Sequence, residues 1–344
     1  MCSALLLLLG SSAASSFNFS GVFGDDCVLQ RDSITAVYGF AAAGASVAVS
    51  LDGGAAVSAT GQPDGTWKAL LPAQPAGSNH TIVATSRGAG GAATTAIALR
   101  RVSFGDVWFC SGQSNMELPL HYTLTRNDTY AAVAAGRYEQ ISLLHFDHNP
   151  LPQPARVVGG DKVLTPWTRA AAALRSGTLD KFAAACWYFG ESLADRLEQE
   201  AAAQAAGPNA AAAAGTATVT EKVPIGLIES AFGGTMIESW LPVASQLACA
   251  NITCTANQTQ RFTKDTAAAC AAAAAAAGGS AGASAKGAGS NSELFNGMVS
   301  PFVDYTLKGW LWYQVGAGAA GRCKRRCNAR VLALSLPAAC RVAC

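Results

Sequence analysis

Two kinds of hydrophobic pattern divide the chain. From residue 17 to about 101, short apolar runs recur between Gly, Pro and Asp punctuation: Ile34 to Phe40, Ser46 to Leu51, Thr66 to Leu71, Thr81 to Thr85 and Ala96 to Val102. Even spacing of such runs predicts a small β-rich domain over 17–101, with Asp52-Gly53-Gly54 and Pro63-Asp64-Gly65 as hairpin turns. Farther on, Phe104 to Phe109, Ile141 to Leu144, Val223 to Glu229 and Leu307 to Gln314 read as buried strands. Between the second and third, Asp180 to Glu200 sets Phe182, Cys186, Phe189, Leu193 and Leu197 on one face of a helix, with Asp180 in position to cap it. Strands and helix together predict an α/β domain over 102–314, interrupted by Ala-rich insertions at 201–220 and 270–290.

The first of these buried runs breaks at Ser111-Gly112 into a small polar turn that carries Ser114. In an open α/β sheet the ligand crevice lies beyond the carboxyl ends of the strands, so a serine one turn past a strand projects into the site. Ser114 is therefore the candidate nucleophile; the competing reading is a serine that caps the next helix. A second turn of interest follows the third strand, at Gly233-Gly234. A backbone N–H approaches a reacting carbonyl closely only where no Cβ intervenes, and such a donor lowers the barrier by about 3 kcal/mol. An ordinary strand-to-helix turn would use the same two glycines.

The longer strings narrow these alternatives. Phe104-Gly105-Asp106-Val107-Trp108 followed by Gly112-Gln113-Ser114-Asn115-Met116-Glu117 resembles the nucleophile block of the sialate O-acetylesterase family, within the SGNH hydrolases. No Gly stands two residues after Ser114, which separates the chain from the Gly-x-Ser-x-Gly elbow of α/β-hydrolases. Phe23 to Gln30, Ser230 to Trp240, Glu293 to Pro301 and Leu307 to Gln314 are similar to further stretches of the same family. The resemblance implies an SGNH-type, flavodoxin-like α/β/α three-layer domain, incomplete here, preceded by the small β-rich domain. It also implies a carbohydrate O-acetylesterase acting through Ser114. The oxyanion hole would use Gly234, with Gly233 as alternate, and the backbone of Ser114 or Asn115. Gln113, Glu117, Glu238 and Trp240 would shape the pocket or serve as structural contacts. The implied partner is an acetylated sugar or polysaccharide, and that chemistry calls for no metal and no organic cofactor.

After Gln314 the resemblance stops, so the chain reads as truncated at its C-terminal end. In the family the fourth strand continues into Gly-Glu-x-Asn, and an Asp-x-x-His block follows. Residues 315–344 hold no His, Asp or Glu, so no catalytic His or Asp is expected from them, and the chain as it stands is expected to be unstable or nearly inactive. A catalytically dead carbohydrate-binding protein and a fragment from a defective gene model are the alternatives. Cys323-x-x-x-Cys327 and Cys340-x-x-x-Cys344 have the wrong spacing for a tight zinc ribbon. His145 and His148, at the end of the second strand, are weak candidates for a base, because loop histidines more often serve as hydrogen-bonding residues.

Composition adds the compartment. Met1 to Ala14 has the layout of a cleaved secretory leader, and five Asn-x-Ser/Thr sequons, at Asn18, Asn79, Asn127, Asn251 and Asn257, suit a secreted or lumenal chain. Eleven cysteines fit an oxidising compartment, with Cys249 and Cys254 the closest pair in the body of the chain. A net charge of +2 gives no reason to expect nucleic acid, and no apolar stretch after the leader is long enough for a membrane span.

Overall fold

Seven strands lead into one long strand on which both halves of the molecule are built. The structure is a computed structural model and describes residues 17–88, 94–205, 222–242, 245 and 292–314. The leader, the 270–290 stretch, the 315–344 tail and the Cys249–Cys254 pair lie outside the described residues. In chain order the first seven strands are β1 (Asn18–Phe19), β2 (Val28–Gln30), β3 (Thr35–Phe40), β4 (Ser46–Leu51), β5 (Val57–Thr60), β6 (Thr66–Leu71) and β7 (Gly77–Arg87). Asp52 and Gly53, both at positive φ, turn β4 back onto β5 as a hairpin. Pro63-Asp64-Gly65 does not make the expected hairpin. It passes from β5 to β6, and β6 pairs with β3 in a separate three-stranded sheet.

The long strand is β8 (Thr95–Gly112), which joins the expected Ala96 to Val102 run and the Phe104 run into one element. The domain boundary expected near residue 101 thus falls inside a continuous strand. Its first half pairs antiparallel with β7 and parallel with β2, and its second half has different neighbours. The hand-over is fixed by Arg31, whose guanidinium holds the buried Asp106 carboxylate at 2.9 and 3.2 Å, and by Gln30, which accepts the Val107 N–H at 3.0 Å.

Beyond β8 come α1 (Ser114–Glu117), α2 (Arg126–Ala134), β9 (Ile141–Phe146), β10 (Val163–Arg169), α3 (Ala170–Ser176), α4 (Ala184–Ala205), β11 (Ile225–Ala231) and β12 (Gly309–Tyr313). β9, β11, β8 and β12 run parallel in that order, and β10 adds antiparallel to β9, giving a large mixed sheet. All seven residues of β11 are buried, as expected of a strand covered on both faces.

Strand alternation divides the apolar side chains into two cores. Cys110, Leu143, Ile225, Leu227 and Leu311 pack with Phe182, Cys186 and Trp187 on the α4 side. Phe109, Leu144, Phe146 and Ile228 face the other way, toward Val28, Trp167, Phe302 and Tyr305. Gly226 makes this second contact possible, because a Cβ there would lie 2.9 Å from Val28 Cβ and 3.2 Å from the Trp167 ring.

The helix expected from Asp180 starts later. Leu179–Lys181 form a 3-10 turn, Phe182 is extended, and α4 begins at Ala184 and continues into the first residues of the expected Ala-rich insertion. The cause is tertiary: Phe182 and Ala183 are drawn into strand-like contacts with the chain after the nucleophile turn, through Leu120 N–H to Phe182 O and the Pro119–Ala183 bridge. Cys186 then pairs with Cys110 in a disulfide, although its spacing in the sequence marked it only as an apolar helix position.

Candidate active site

β8 delivers Ser114 past the carboxyl end of the parallel sheet. Gly112 ends the strand at φ +138°, Gln113 occupies the cap position of α1, and Ser114 is the first helical residue and exposed. Ser114 is therefore not the helix cap. Asn115 is exposed beside it, whereas Met116 turns into the core.

The second turn stands directly across. After β11, the Phe232 N–H donates to Gly112 O at 3.0 Å, which binds this loop to the end of the nucleophile strand. A Cβ on Gly233 would fall 3.4 Å from Ser114 Cα and 3.5 Å from Ser114 Cβ. Gly234 is at φ +72° with open space on its Cβ side. The Gly233 N–H donates to Glu117 Oε2 at 2.5 Å, so in this geometry it is committed to a carboxylate rather than to an incoming carbonyl.

Glu117 and Trp240, expected at the pocket, separate. Trp240 is 3 % exposed, packs edge-on against Trp312 and donates its indole N–H to Thr235 Oγ1 at 2.9 Å, so it belongs to the core beneath the loop. Glu238 stays half-buried on the following 3-10 turn. Glu117 is the polar centre of the site. Its Oε1 lies 2.8 Å from His148 Nε2, and the His148 ring stacks on Phe232 at 3.8 Å with planes 5° apart. The hydrogen bond from His148 is the main cause that lowers the Glu117 carboxyl below its ordinary range, and the same bond raises the His148 imidazole. Sequence reasoning named both residues but not the pair, because thirty residues separate them.

Behind this pair lies one the sequence did not reveal. Glu229 is fully buried in β11, its Oε2 accepts the Ala183 N–H at 2.8 Å, and its Oε1 sits 3.5 Å from His145 Nε2. Burial raises the Glu229 carboxyl far above the usual value, and burial lowers the His145 imidazole to about 4. Both shifts favour the uncharged forms, and neither Glu229 Oε1 nor His145 Nδ1 has a hydrogen-bond partner among the described residues. A lone carboxyl inside an otherwise apolar strand was the available signal.

A pH dependence follows. Folded Glu229 keeps a proton that the unfolded chain releases above 4.5, so its burial lowers stability by up to about 1.4 kcal/mol per pH unit above that value. Glu229→Gln is expected to match the parent below pH 4.5 and to exceed it increasingly in urea melts as the pH rises above that value. A constant difference across that range would show Glu229 ionised in the fold.

Among the described residues no group of three or more His, Cys, Asp or Glu side chains is placed to hold a metal ion, and no helix is long and apolar enough to cross a membrane.

The chain is 27% identical over 322 residues to a sialate O-acetylesterase of Mus musculus, covering 90% of this chain and 54% of the mouse protein. It is also 27% identical over 318 residues to the sialate O-acetylesterase of Homo sapiens, covering 90% of this chain and 50% of the human one. A solved structure of a carbohydrate acetylesterase from Xanthomonas citri matches with a TM-score of 0.56 at 26% identity, over 87% of this chain and 51% of that one. No family model matches. The chain spans about half the length of the curated relatives it matches.

Proposed function

Because this chain belongs to the sialate O-acetylesterase family, we propose that it is built to hydrolyse acetyl esters on sugar hydroxyls, with Ser114 as nucleophile. The observation that carries this reading is the placement of an exposed Ser114 at the carboxyl end of the central parallel strand, with Gly233-Gly234 across from it. Ser114 Oγ attacks the acetyl carbonyl and passes its proton to a base. The developing oxyanion is met by the N–H of Gly234 and by the backbone of Ser114 and Asn115. Collapse breaks the bond to the sugar oxygen, which takes up a proton and leaves as the hydroxyl, and water then hydrolyses the acetyl-serine to acetate.

The surrounding domain is read as SGNH-type and flavodoxin-like, with the β-rich part packed against it. Secretion into an oxidising compartment is supported by the buried Cys110–Cys186 disulfide and by exposure of Asn18, Asn79 and Asn127 in their sequons.

The base is the limiting element. Each of the four histidines has another partner: His80 is held by Asp52, His121 by Asp180 O, His145 faces Glu229 and His148 is held by Glu117. None hydrogen-bonds Ser114. We therefore expect slow turnover, on the order of 10³ to 10⁴ times the uncatalysed rate, as for a site that lacks a triad member.

The test is acetate release from an acetylated methyl glycoside, with and without imidazole in the buffer as a substitute proton acceptor. Imidazole is expected to accelerate the parent chain and to leave Ser114→Ala at background. An equal response in Ser114→Ala would remove Ser114 from the chemistry, and rapid turnover without imidazole would show that the chain holds its own base.

A further inference from the structure

The geometry points to Glu117 and His148 as a charge-balanced latch that holds the oxyanion loop against the nucleophile turn, making both of them positioning residues for the reaction. The inference rests on Ser114 being the nucleophile.

Three contacts make the latch. Glu117 lies three residues after Ser114 in α1, so the two side chains leave neighbouring positions on one helix face. One carboxylate oxygen takes the Gly233 N–H, and the other takes His148 Nε2. His148 is itself clamped flat on Phe232, the residue before Gly233. One carboxylate therefore bonds the loop twice, directly through Gly233 and indirectly through the ring on Phe232. Gly233 has no room for a side chain in this arrangement, since a Cβ would meet Glu117 Oε2 at 2.6 Å.

Charge explains why an imidazole is needed. A bare carboxylate beside an oxyanion hole would repel the charge that develops there, and the repulsion would be large where water is excluded. An imidazolium on the far oxygen cancels that field and leaves Glu117 free to accept from Gly233. The groups that face this pair are few. Asp147 lies beside His148 and takes its backbone N–H at 2.8 Å, His145 flanks it on the same strand end, and Glu229 stands behind on β11. Asp147 favours the charged imidazole, and His145 is uncharged above about pH 4. The latch is consequently intact between the lowered carboxyl and the raised imidazole. It loosens as acid protonates Glu117, and it loses its charge balance as base neutralises His148.

The experiment uses the full chain labelled with carbonyl-¹³C phenylalanine and ¹⁵N glycine, which restricts the NMR spectrum to the four Phe-Gly pairs, Phe232-Gly233 among them. The Gly233 amide is expected to lie downfield and to move with pH in an acidic and an alkaline step. Glu117→Gln should shift that resonance and abolish both steps, and His148→Gln should remove the alkaline step alone. In the imidazole-supplemented assay, Glu117→Gln is expected to lower the Ser114-dependent kcat by about tenfold with KM within about twofold, as for a misplaced oxyanion donor.

A Gly233 amide that ignores pH and is unmoved in Glu117→Gln overturns the latch. An unchanged kcat in a folded Glu117→Gln overturns its role in the reaction. If Glu117→Gln does not fold, the titration of the parent chain decides. Hydrolysis that is insensitive to Ser114→Ala refutes the esterase reading instead, and the amide titration then judges the latch by itself.

Discussion

Replacing Cys110 and Cys186 together by alanine is expected to cost about 4 kcal/mol, read as a fall in the urea midpoint. The two residues are 76 positions apart, and closing a loop of that length removes much of the freedom of the unfolded chain. The effect reaches the site because of what the loop contains. Cys110 lies in β8 four residues before Ser114, and Cys186 lies in the first turn of α4. Between them the chain after the nucleophile is stitched to the start of α4, by Ala184 N–H to Leu118 O at 2.8 Å and Leu120 N–H to Phe182 O at 2.9 Å. The disulfide thus closes a frame around α1. The alanine pair should lose stability and, in the imidazole-supplemented assay, Ser114-dependent acetate release together. A loss of less than about 1 kcal/mol would mean that the unfolded chain is already restrained in this region, or that the crosslink does not form.

Strand positions were legible in the sequence wherever burial on both faces wrote a continuous apolar run. β11 and β12 lie within two residues of their expected ends, and the turns that carry Ser114 and Gly234 follow β8 and β11 as those runs indicated. What the sequence did not show was set by partners distant in the chain. β8 is continuous because β2 and β7 pair with its first half and β11 and β12 with its second, and no local signal at Val102-Ser103 reports that. Asp180 resembled a helix cap, but Phe182 and Ala183 gain more by pairing with Pro119 and Leu120. Trp240 read equally as a pocket wall or as a structural contact, and its packing against Trp312 and Thr235 is visible only in the fold. Glu117 and His148 each drew attention alone, and only the fold places a carboxylate, an imidazole and the Gly233 amide within one hydrogen-bonded chain.

Gly112→Ala is expected to destabilise the chain by about 4 kcal/mol and to bring Ser114-dependent hydrolysis to background, because two penalties coincide at one residue. The first is conformational: φ is +138°, a value that a residue bearing a Cβ adopts only under strain. The second is steric. The added Cβ would lie 2.2 Å from Tyr313 O and 2.8 Å from Tyr313 C, both backbone atoms that no rotamer change can move. Either β12 shifts away or the end of β8 does, and both alternatives break contacts that define the site. The same Tyr313 O accepts the Gln113 N–H at 3.1 Å, which sets the direction of the nucleophile turn, and Gly112 O accepts the Phe232 N–H, which sets the oxyanion loop. Gly112 is therefore the joint at which the nucleophile strand, the neighbouring strand and the loop across the site meet. Gly234→Ala provides the contrast. Its φ of +72° carries a conformational cost, but its Cβ meets nothing within 4 Å, so about 1 kcal/mol and a folded chain are expected. Urea melts of the two variants separate the contributions: equal losses would show that backbone conformation alone matters, whereas the larger loss at Gly112 locates the cost in the contact with Tyr313.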